Sequence, residues 1–207
     1  MATWQPAMEK APQADWLVTP VSQKAGAWVT ADKQDVILYN GLVKRVFRLA
    51  PNVVCYDYKN MMNDQQLIRA VKAEARITLD GKDYNIGGLH GQKEQAYFLP
   101  EWLPALTSDN ADFQLLKYEV SNIPDFVKWK PGSWWTTYKK KQDGKMLTFV
   151  YTNNSAELSG VIVKVNYAIY DGIPLIVKWV TIDNNGKKAV KINRVVNEIL
   201  ATVEEES

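Results

Sequence analysis

Side chains that could serve as nucleophiles, bases or metal ligands are scarce in this chain. His90 is the only histidine and Cys55 the only cysteine among its 207 residues. Nucleophilic catalysis pairs a serine or cysteine with a nearby base, but Cys55 lies in an apolar run, as a small buried hydrophobe does. The sequence contains no Gly-x-Ser-x-Gly motif that could pair with His90. We therefore expect no nucleophile–histidine site.

Metal and phosphate sites are also poorly represented in the sequence. Zinc sites use several closely spaced Cys and His residues, and calcium loops use carboxylates at fixed spacing. Neither pattern occurs here. The run Gly87-Gly88-Leu89-His90-Gly91 lacks the following Lys-Ser/Thr of a phosphate loop and the strand–helix context that such a loop needs. It favours a turn between strands, and we expect neither a metal nor a cofactor.

Paired carboxylates remain open, because glycosidases draw their two acidic residues from distant positions. Most acidic residues here fall in turn segments or alternate with basic residues. Glu198 is different because it lies within the apolar run 195–200. A catalytic role is one reading of Glu198. A structural ion pair with Arg194 or Lys178 is the reading we favour.

Aromatic residues concentrate in one segment, Trp129–Tyr138, beside a Pro-Gly turn. Adjacent Trp134 and Trp135 point to opposite faces of an extended chain, so one of them faces outward. Such exposed aromatic surface indicates a ligand or partner site, although core packing, docking onto a neighbouring domain and sugar stacking all remain open. The candidate carbohydrate or domain-interface residues are Trp129, Trp134, Trp135, Tyr138 and His90.

The elements that must position these residues are predominantly strands. Apolar and polar residues alternate over 71–79 and 161–170, the period of a half-buried strand. Asx-Gly pairs, which favour tight hairpin turns, separate such runs at 40–41, 80–81, 143–144, 171–172 and 185–186. We predict an all-β fold with antiparallel strands. Strands at 161–170, 174–182 and 189–203 should form one meander, and those at 36–39, 42–49 and 53–58 a second. Short helices are expected only at 63–70 and 104–108.

The distribution of prolines, apolar residues and charges predicts the domain limits and argues against some classes of function. Residues 1–14 hold two prolines and predict an extended arm or linker, residues 15–203 a single domain, and residues 204–207 a linker. Apolar residues make up 46% of the chain, enough for a packed core. The net charge of +2, from 25 basic and 23 acidic residues, gives no electrostatic argument for nucleic-acid binding, which needs a clustered basic surface. No run reaches the roughly 20 apolar residues of a membrane span.

The C-terminal hairpin resembles a known family. The run Asn166–Asn184, built around Tyr170-Asp171-Gly172-Ile173-Pro174, is similar to a hairpin of glycoside hydrolase family 36, the α-galactosidases. The following run Val195–Ala201 resembles the next strand of that family. This resemblance implies an antiparallel β-supersandwich of the galactose mutarotase-like type. It also implies a non-catalytic N-terminal domain that packs on a (β/α)8 barrel, and a secreted or periplasmic protein, as in bacterial relatives.

The resemblance carries no catalytic residue onto this chain. In the family, the catalytic aspartates belong to the barrel that follows this domain, so we expect no enzyme activity from these 207 residues alone. The implied partners are the barrel and a galactoside or polysaccharide. A free-standing carbohydrate-binding module is the alternative, based on the Trp129–Tyr138 segment. A mutarotase-type epimerase is a weaker alternative, because relatives with that activity use two histidines.

Overall fold

The structure is a computed structural model that describes residues 1–125 and 143–203, and most of it is β-sheet. Strands account for 46% of residues and helices for 6%, and the sheets are antiparallel except at one pairing of the N-terminal strand. The predicted all-β, antiparallel sandwich is confirmed. The strands of the described ranges, in chain order, are β1 (Ala2–Thr3), β2 (Gly26–Val29), β3 (Asp35–Tyr39), β4 (Val43–Arg48), β5 (Val54–Asn60), β6 (Gln65–Gln66), β7 (Ile68–Ala70), β8 (Ala75–Leu79), β9 (Lys82–Ile86), β10 (Gln114–Asn122), β11 (Gly144–Thr152), β12 (Val161–Tyr170), β13 (Ile176–Asn184), β14 (Ile192–Val196) and β15 (Ala201–Thr202).

The main core lies between two sheets. One, the large sheet, has the strand order β1-β2-β3-β4-β5-β6, and the other, the four-stranded sheet, has the order β10-β11-β12-β13. Phe47 of β4 packs against Phe149 of β11 and Tyr167 of β12, with ring centroids 5.1 and 4.9 Å apart. A third sheet, ordered β14-β8-β9, contributes Ile77 and other apolar side chains to the same core. Three sheets therefore share one hydrophobic centre.

The N-terminal segment covers the opposite face of the large sheet. Strand β1 pairs in parallel with β2, and the Trp4 ring packs edge-on against Trp28 and Tyr39 at 5.6 and 5.3 Å. The Tyr39 hydroxyl also accepts a hydrogen bond from the Lys10 amide at 3.2 Å. Residues 1–14 include a 3₁₀ helix at Pro6–Met8, and the Trp4 ring gives this side of the large sheet an aromatic cover.

Three of the five predicted Asx-Gly turns, at 40–41, 80–81 and 171–172, form hairpins with a glycine at positive φ. Asp80 and Gly81 have φ values of 49° and 83°, which match the tight turn that joins twisted antiparallel strands. This turn connects β8 to β9, and Gly172 at φ 69° helps to connect β12 to β13. The meander of β3, β4 and β5 is also as predicted.

A buried asparagine joins the hairpin after β12 to the large sheet. The Asn40 amide nitrogen donates to the carbonyls of Tyr170 and Ile173, each at 2.7 Å. Its side-chain oxygen accepts from the Leu42 and Val43 amides, each at 3.0 Å. The side chain of Asn40 is fully buried, so these four hydrogen bonds satisfy it entirely within the protein. We call this arrangement the Asn40 clamp.

Three local predictions were wrong. Residues 63–70 form short strands instead of a helix, and the helical turn expected at 104–108 is a 3₁₀ helix at Pro100–Ala105. The run 189–203 does not continue the meander beside β13. Instead, β14 crosses to pair with β8, and β15 pairs with β7. Alternation predicts which face of a strand is buried, but it carries no information about the partner strand.

Candidate functional site

A lysine occupies a core position on β13. Lys178 lies directly opposite Tyr167 of β12, so both side chains point into the sandwich, and only 5% of the Lys178 side chain is exposed. The next residue, Trp179, lies opposite Asn166, on the other face of the sheet. The Lys178 ammonium donates to the Glu74 carbonyl and, at 2.8 Å, to Glu198 Oε1.

Arg45 of β4 meets the same carboxylate from the large sheet. Its two terminal nitrogens donate to the two Glu198 oxygens at 3.2 and 3.3 Å, the two-pronged geometry that suits guanidinium and carboxylate. Its Nε donates to Cys55 Sγ at 3.2 Å. The guanidinium carbon also lies 5.0 and 4.8 Å from the ring centroids of Tyr58 and Tyr167. Arg45, which is only 3% exposed, therefore has hydrogen-bonding or ring-stacking partners on several sides.

Glu74 completes the group as a second carboxylate, with 1% exposure. Its Oε1 accepts from the Cys55 amide at 2.8 Å, and its Oε2 accepts from the Tyr167 hydroxyl. Arg45 Nη2 lies 3.9 Å from Glu74 Oε2. We call Arg45, Glu74, Tyr167, Lys178 and Glu198 the buried charge cluster. Its two cations and two carboxylates balance, which is the condition under which burial of charge is tolerated.

The surroundings shift the pKa values of the cluster in different directions. Burial raises the pKa of Glu198, but attraction from Arg45 and Lys178 outweighs it, so the pKa lies below its ordinary value of 4.5. Burial lowers the pKa of Lys178, against the attraction of the two glutamates. Burial also raises the pKa of Tyr167 well above 10, so its hydroxyl stays protonated as a donor to Glu74.

The cluster is arranged for connection between elements. Glu74 and Tyr167 are too deeply buried to meet a substrate, and only Glu198, with 29% of its side chain exposed, reaches the surface. The charged side chains link three parts of the fold. Arg45 comes from the large sheet, Lys178 from the four-stranded sheet and Glu198 from the C-terminal segment, and the two cations both bond to Glu198. The carboxylate flagged in the sequence is therefore an ion-pair partner of Lys178 and Arg45.

Acid should weaken this connection in a defined direction. Because the folded pKa of Glu198 is depressed, its stabilisation is present above pH 4.5 and is lost as pH falls below that value. Glu198→Gln should therefore lower the free energy of unfolding by about 1–3 kcal/mol at pH 7, with the difference from wild type shrinking in acid. Urea unfolding between pH 7 and 3 measures this, with exposed Glu157→Gln as the control. A difference that stays constant with pH would contradict the ion-pair assignment.

Cys55 should be chemically inert in the folded protein. Burial raises its pKa to about 12, and its exposed fraction is 5%. Because the thiolate is the reactive form, almost none is present at pH 8. A chromogenic aromatic disulfide should react with the Cys55 thiol completely when the protein is unfolded in guanidinium. In the native protein it should leave Cys55 unmodified over a time in which it reacts completely with free glutathione. Rapid reaction of the native protein would show that the cluster opens readily.

The predicted site residues are only partly within the described ranges. Trp129, Trp134, Trp135 and Tyr138 lie outside them. The His90 side chain is 52% exposed, and its Nε2 lies 3.6 Å from Asp112 Oδ2. The sequence missed Arg45 and Glu74. An available signal was Arg45 itself, which takes the position between Val43 and Phe47 on the same face of an extended strand.

Comparison with known proteins finds no relative of this chain. No family model, no curated protein and no solved structure matches this chain. Within residues 1–125 and 143–203, no helix is long and apolar enough to cross a membrane.

Proposed function

We propose that this chain is a non-catalytic accessory domain of an α-galactosidase-like glycoside hydrolase of the secreted or periplasmic type. In this proposal it has the galactose mutarotase-like supersandwich fold and holds a catalytic (β/α)8 barrel of the same polypeptide in position. The supporting sequence observation is the run Tyr170-Asp171-Gly172-Ile173-Pro174, which resembles family 36. The supporting structural observation is the attachment of the C-terminal segment to the core.

That attachment involves three separate contacts. Strand β14 pairs with β8, the Glu198 carboxylate bonds to Arg45 and Lys178, and β15 pairs with β7. The Val203 amide then donates to the Leu67 carbonyl at 3.1 Å. Residues 192–203 therefore leave the core in a fixed direction. A domain joined after them would inherit that direction, which is what an accessory domain needs in order to orient a barrel.

The same segment carries exposed aliphatic side chains. Ile192, Val195 and Leu200 are 50%, 45% and 38% exposed. Apolar side chains grouped on one exposed segment are typical of an interface with another domain. The proposal assigns them to the contact with the barrel.

The test compares the 207 residues with the longest protein encoded by their native gene. The longer protein should hydrolyse p-nitrophenyl α-galactoside, and the 207-residue domain should not. In the longer protein, Val195→Asp should lower activity or thermal stability, whereas Leu116→Asp, at a 59% exposed position on β10, should not.

Three outcomes would count against the proposal. A stop codon directly after Ser207 in the native gene would remove the barrel. Hydrolysis by the domain alone would contradict its accessory role. Saturable binding of galactosides to the domain alone, measured by calorimetry, with no α-galactosidase activity in the longer protein, would favour a carbohydrate-binding module.

A further inference from the structure

We propose that His90, Asp109 and Asp112 bind a divalent transition-metal ion such as Zn²⁺. One ligand-type atom from each of the three side chains lies within 4.8 Å of the others. Asp109 and Asp112 are close in sequence but His90 is well separated from both, so no zinc-type spacing in the sequence indicates this site. The site is independent of the proposed accessory role, because it lies outside the buried charge cluster and uses none of its residues.

Main-chain hydrogen bonds hold the ligands in place. The His90 amide donates to the Thr107 carbonyl at 2.8 Å, and the Thr107 amide returns a bond to His90 at 3.0 Å. The Asp112 amide donates to the Asp109 carbonyl at 3.1 Å in the turn that follows. A site on two tied backbone segments needs little reordering when an ion binds, which favours affinity.

The spacing of His90 and Asp112 suits two ligands of one ion. Their Nε2 and Oδ2 atoms are 3.6 Å apart, longer than a hydrogen bond. Zinc bonds to nitrogen and oxygen are about 2.0–2.2 Å long, so neighbouring ligands of one ion lie roughly 3.0–3.5 Å apart. A small rotation of the exposed imidazole closes the remaining difference.

Asp112 gives a second, independent reason to expect a cation. Only 10% of its side chain is exposed, and buried carboxylates are normally paired with a positive charge. Within the described ranges, no lysine or arginine forms an ion pair with it, and His90 is its only cation-forming neighbour within 4.0 Å. A divalent ion bound between these side chains supplies the missing charge.

An asparagine orients the buried ligand. The Asn85 amide and side-chain nitrogens donate to the two Asp112 oxygens at 2.8 and 3.0 Å. Arg76 Nε donates to Asn85 Oδ1 at 3.1 Å, which fixes the direction of the Asn85 amide group. Hydrogen-bonded partners of this kind hold metal ligands in their binding orientation. One unbonded lone pair on each Asp112 oxygen remains for a metal.

The ligand types select the class of ion. One imidazole with two carboxylates suits Zn²⁺, Mn²⁺ or Ni²⁺. Ca²⁺ takes six to eight oxygen ligands, and Mg²⁺ prefers oxygen and water in an octahedron, so both fit less well. His90 and Asp109 are exposed, so the ion can enter from solvent and complete its shell with water.

Calorimetric titration of the untagged 207-residue chain with ZnCl₂ tests the proposal. We expect one saturable site per chain, with at least about 10-fold weaker binding in His90→Ala, Asp109→Asn and Asn85→Ala. Asp83→Asn is the matched control, because it removes a nearby exposed carboxylate outside the ligand set. CaCl₂ should bind more weakly than ZnCl₂.

The single histidine gives a direct second readout. His90 is the only imidazole in the chain, so its ring signals in a nuclear magnetic resonance spectrum report this site alone. They should shift on addition of ZnCl₂ in wild type and in Asp83→Asn. No saturable binding, affinity unchanged in both His90→Ala and Asp109→Asn, or unmoved ring signals would overturn the proposal.

Discussion

Arg45→Met should lower the free energy of unfolding by about 3–5 kcal/mol, because it removes one of the two cations that balance the buried carboxylates. The guanidinium donates to Glu198 at 3.2 and 3.3 Å and lies 3.9 Å from Glu74. Methionine fills similar space but has neither charge nor N–H donors. Lys178 alone would then face both glutamates. Urea unfolding followed by tryptophan fluorescence measures the change.

Lys164→Met is the matched control for the loss of a cation. Lys164 lies 2.7 Å from Asp183 in the four-stranded sheet, and the two side chains are 41% and 39% exposed. Exposed pairs contribute about 0–1 kcal/mol, so this variant should stay near wild type. Similar losses in the two variants would show that the Arg45 ion pairs contribute no more than a surface pair.

A double substitution separates lost attraction from uncompensated charge. Arg45→Met with Glu198→Gln removes the guanidinium and its closest carboxylate together, so less charge is left buried without a partner. We expect the double variant to be more stable, by about 1 kcal/mol or more, than the sum of the two single losses predicts. Additive losses would contradict direct coupling between these two residues.

Asn40→Ala should cost about 3 kcal/mol, the second largest effect we expect. It removes the donors to the Tyr170 and Ile173 carbonyls and the acceptor for the Leu42 and Val43 amides. Asn40 is fully buried, and each buried group that loses its partner costs about 1–3 kcal/mol. Water entering the space left by the side chain offsets part of the sum. Thermal unfolding followed by circular dichroism measures the loss.

Asn40→Asp tests which half of the Asn40 clamp matters. Aspartate keeps the acceptor for the turn amides but places a negative charge against the two carbonyls of the hairpin. It should therefore destabilise the protein at neutral pH at least as much as alanine does. Exposed Asn122→Ala, which removes only a surface bond from Lys145, should have little effect. Near-wild-type stability of Asn40→Asp would contradict the donor assignment.

Local chemistry made much of the fold predictable. Asp80-Gly81 and Asp171-Gly172 identify hairpins, because few other residue pairs adopt the positive φ that these turns require. Alternation then assigned the inner face of β12, where Val163 and Val165 are fully buried. These features depend on neighbouring residues, so a single sequence contains them.

The failures arose where distant partners override local preference. Lys178 lies inside the sandwich because the Glu198 carboxylate neutralises it and the Glu74 carbonyl accepts from its ammonium, and nothing within its own strand indicates this. The position of β14 in the fold depends on its pairing with β8, a strand more than a hundred residues earlier in the chain. The sequence identified Lys178 as a partner for Glu198 but missed Arg45, because an ion pair between sheets leaves no local pattern.

Because β14 and Glu198 come late in the described chain, the domain can complete its fold only after these residues have been synthesised. Arg45 and Glu198 are 153 residues apart, and the β14–β8 pairing spans more than a hundred residues. Until residues 192–198 have been synthesised, Arg45 lacks Glu198 and β8 lacks β14 on one of its edges. Contacts of such long range form slowly, and unpaired strand edges associate with other chains in the interval. We therefore expect the nascent domain to expose the free edge of β8 until β14 has been synthesised.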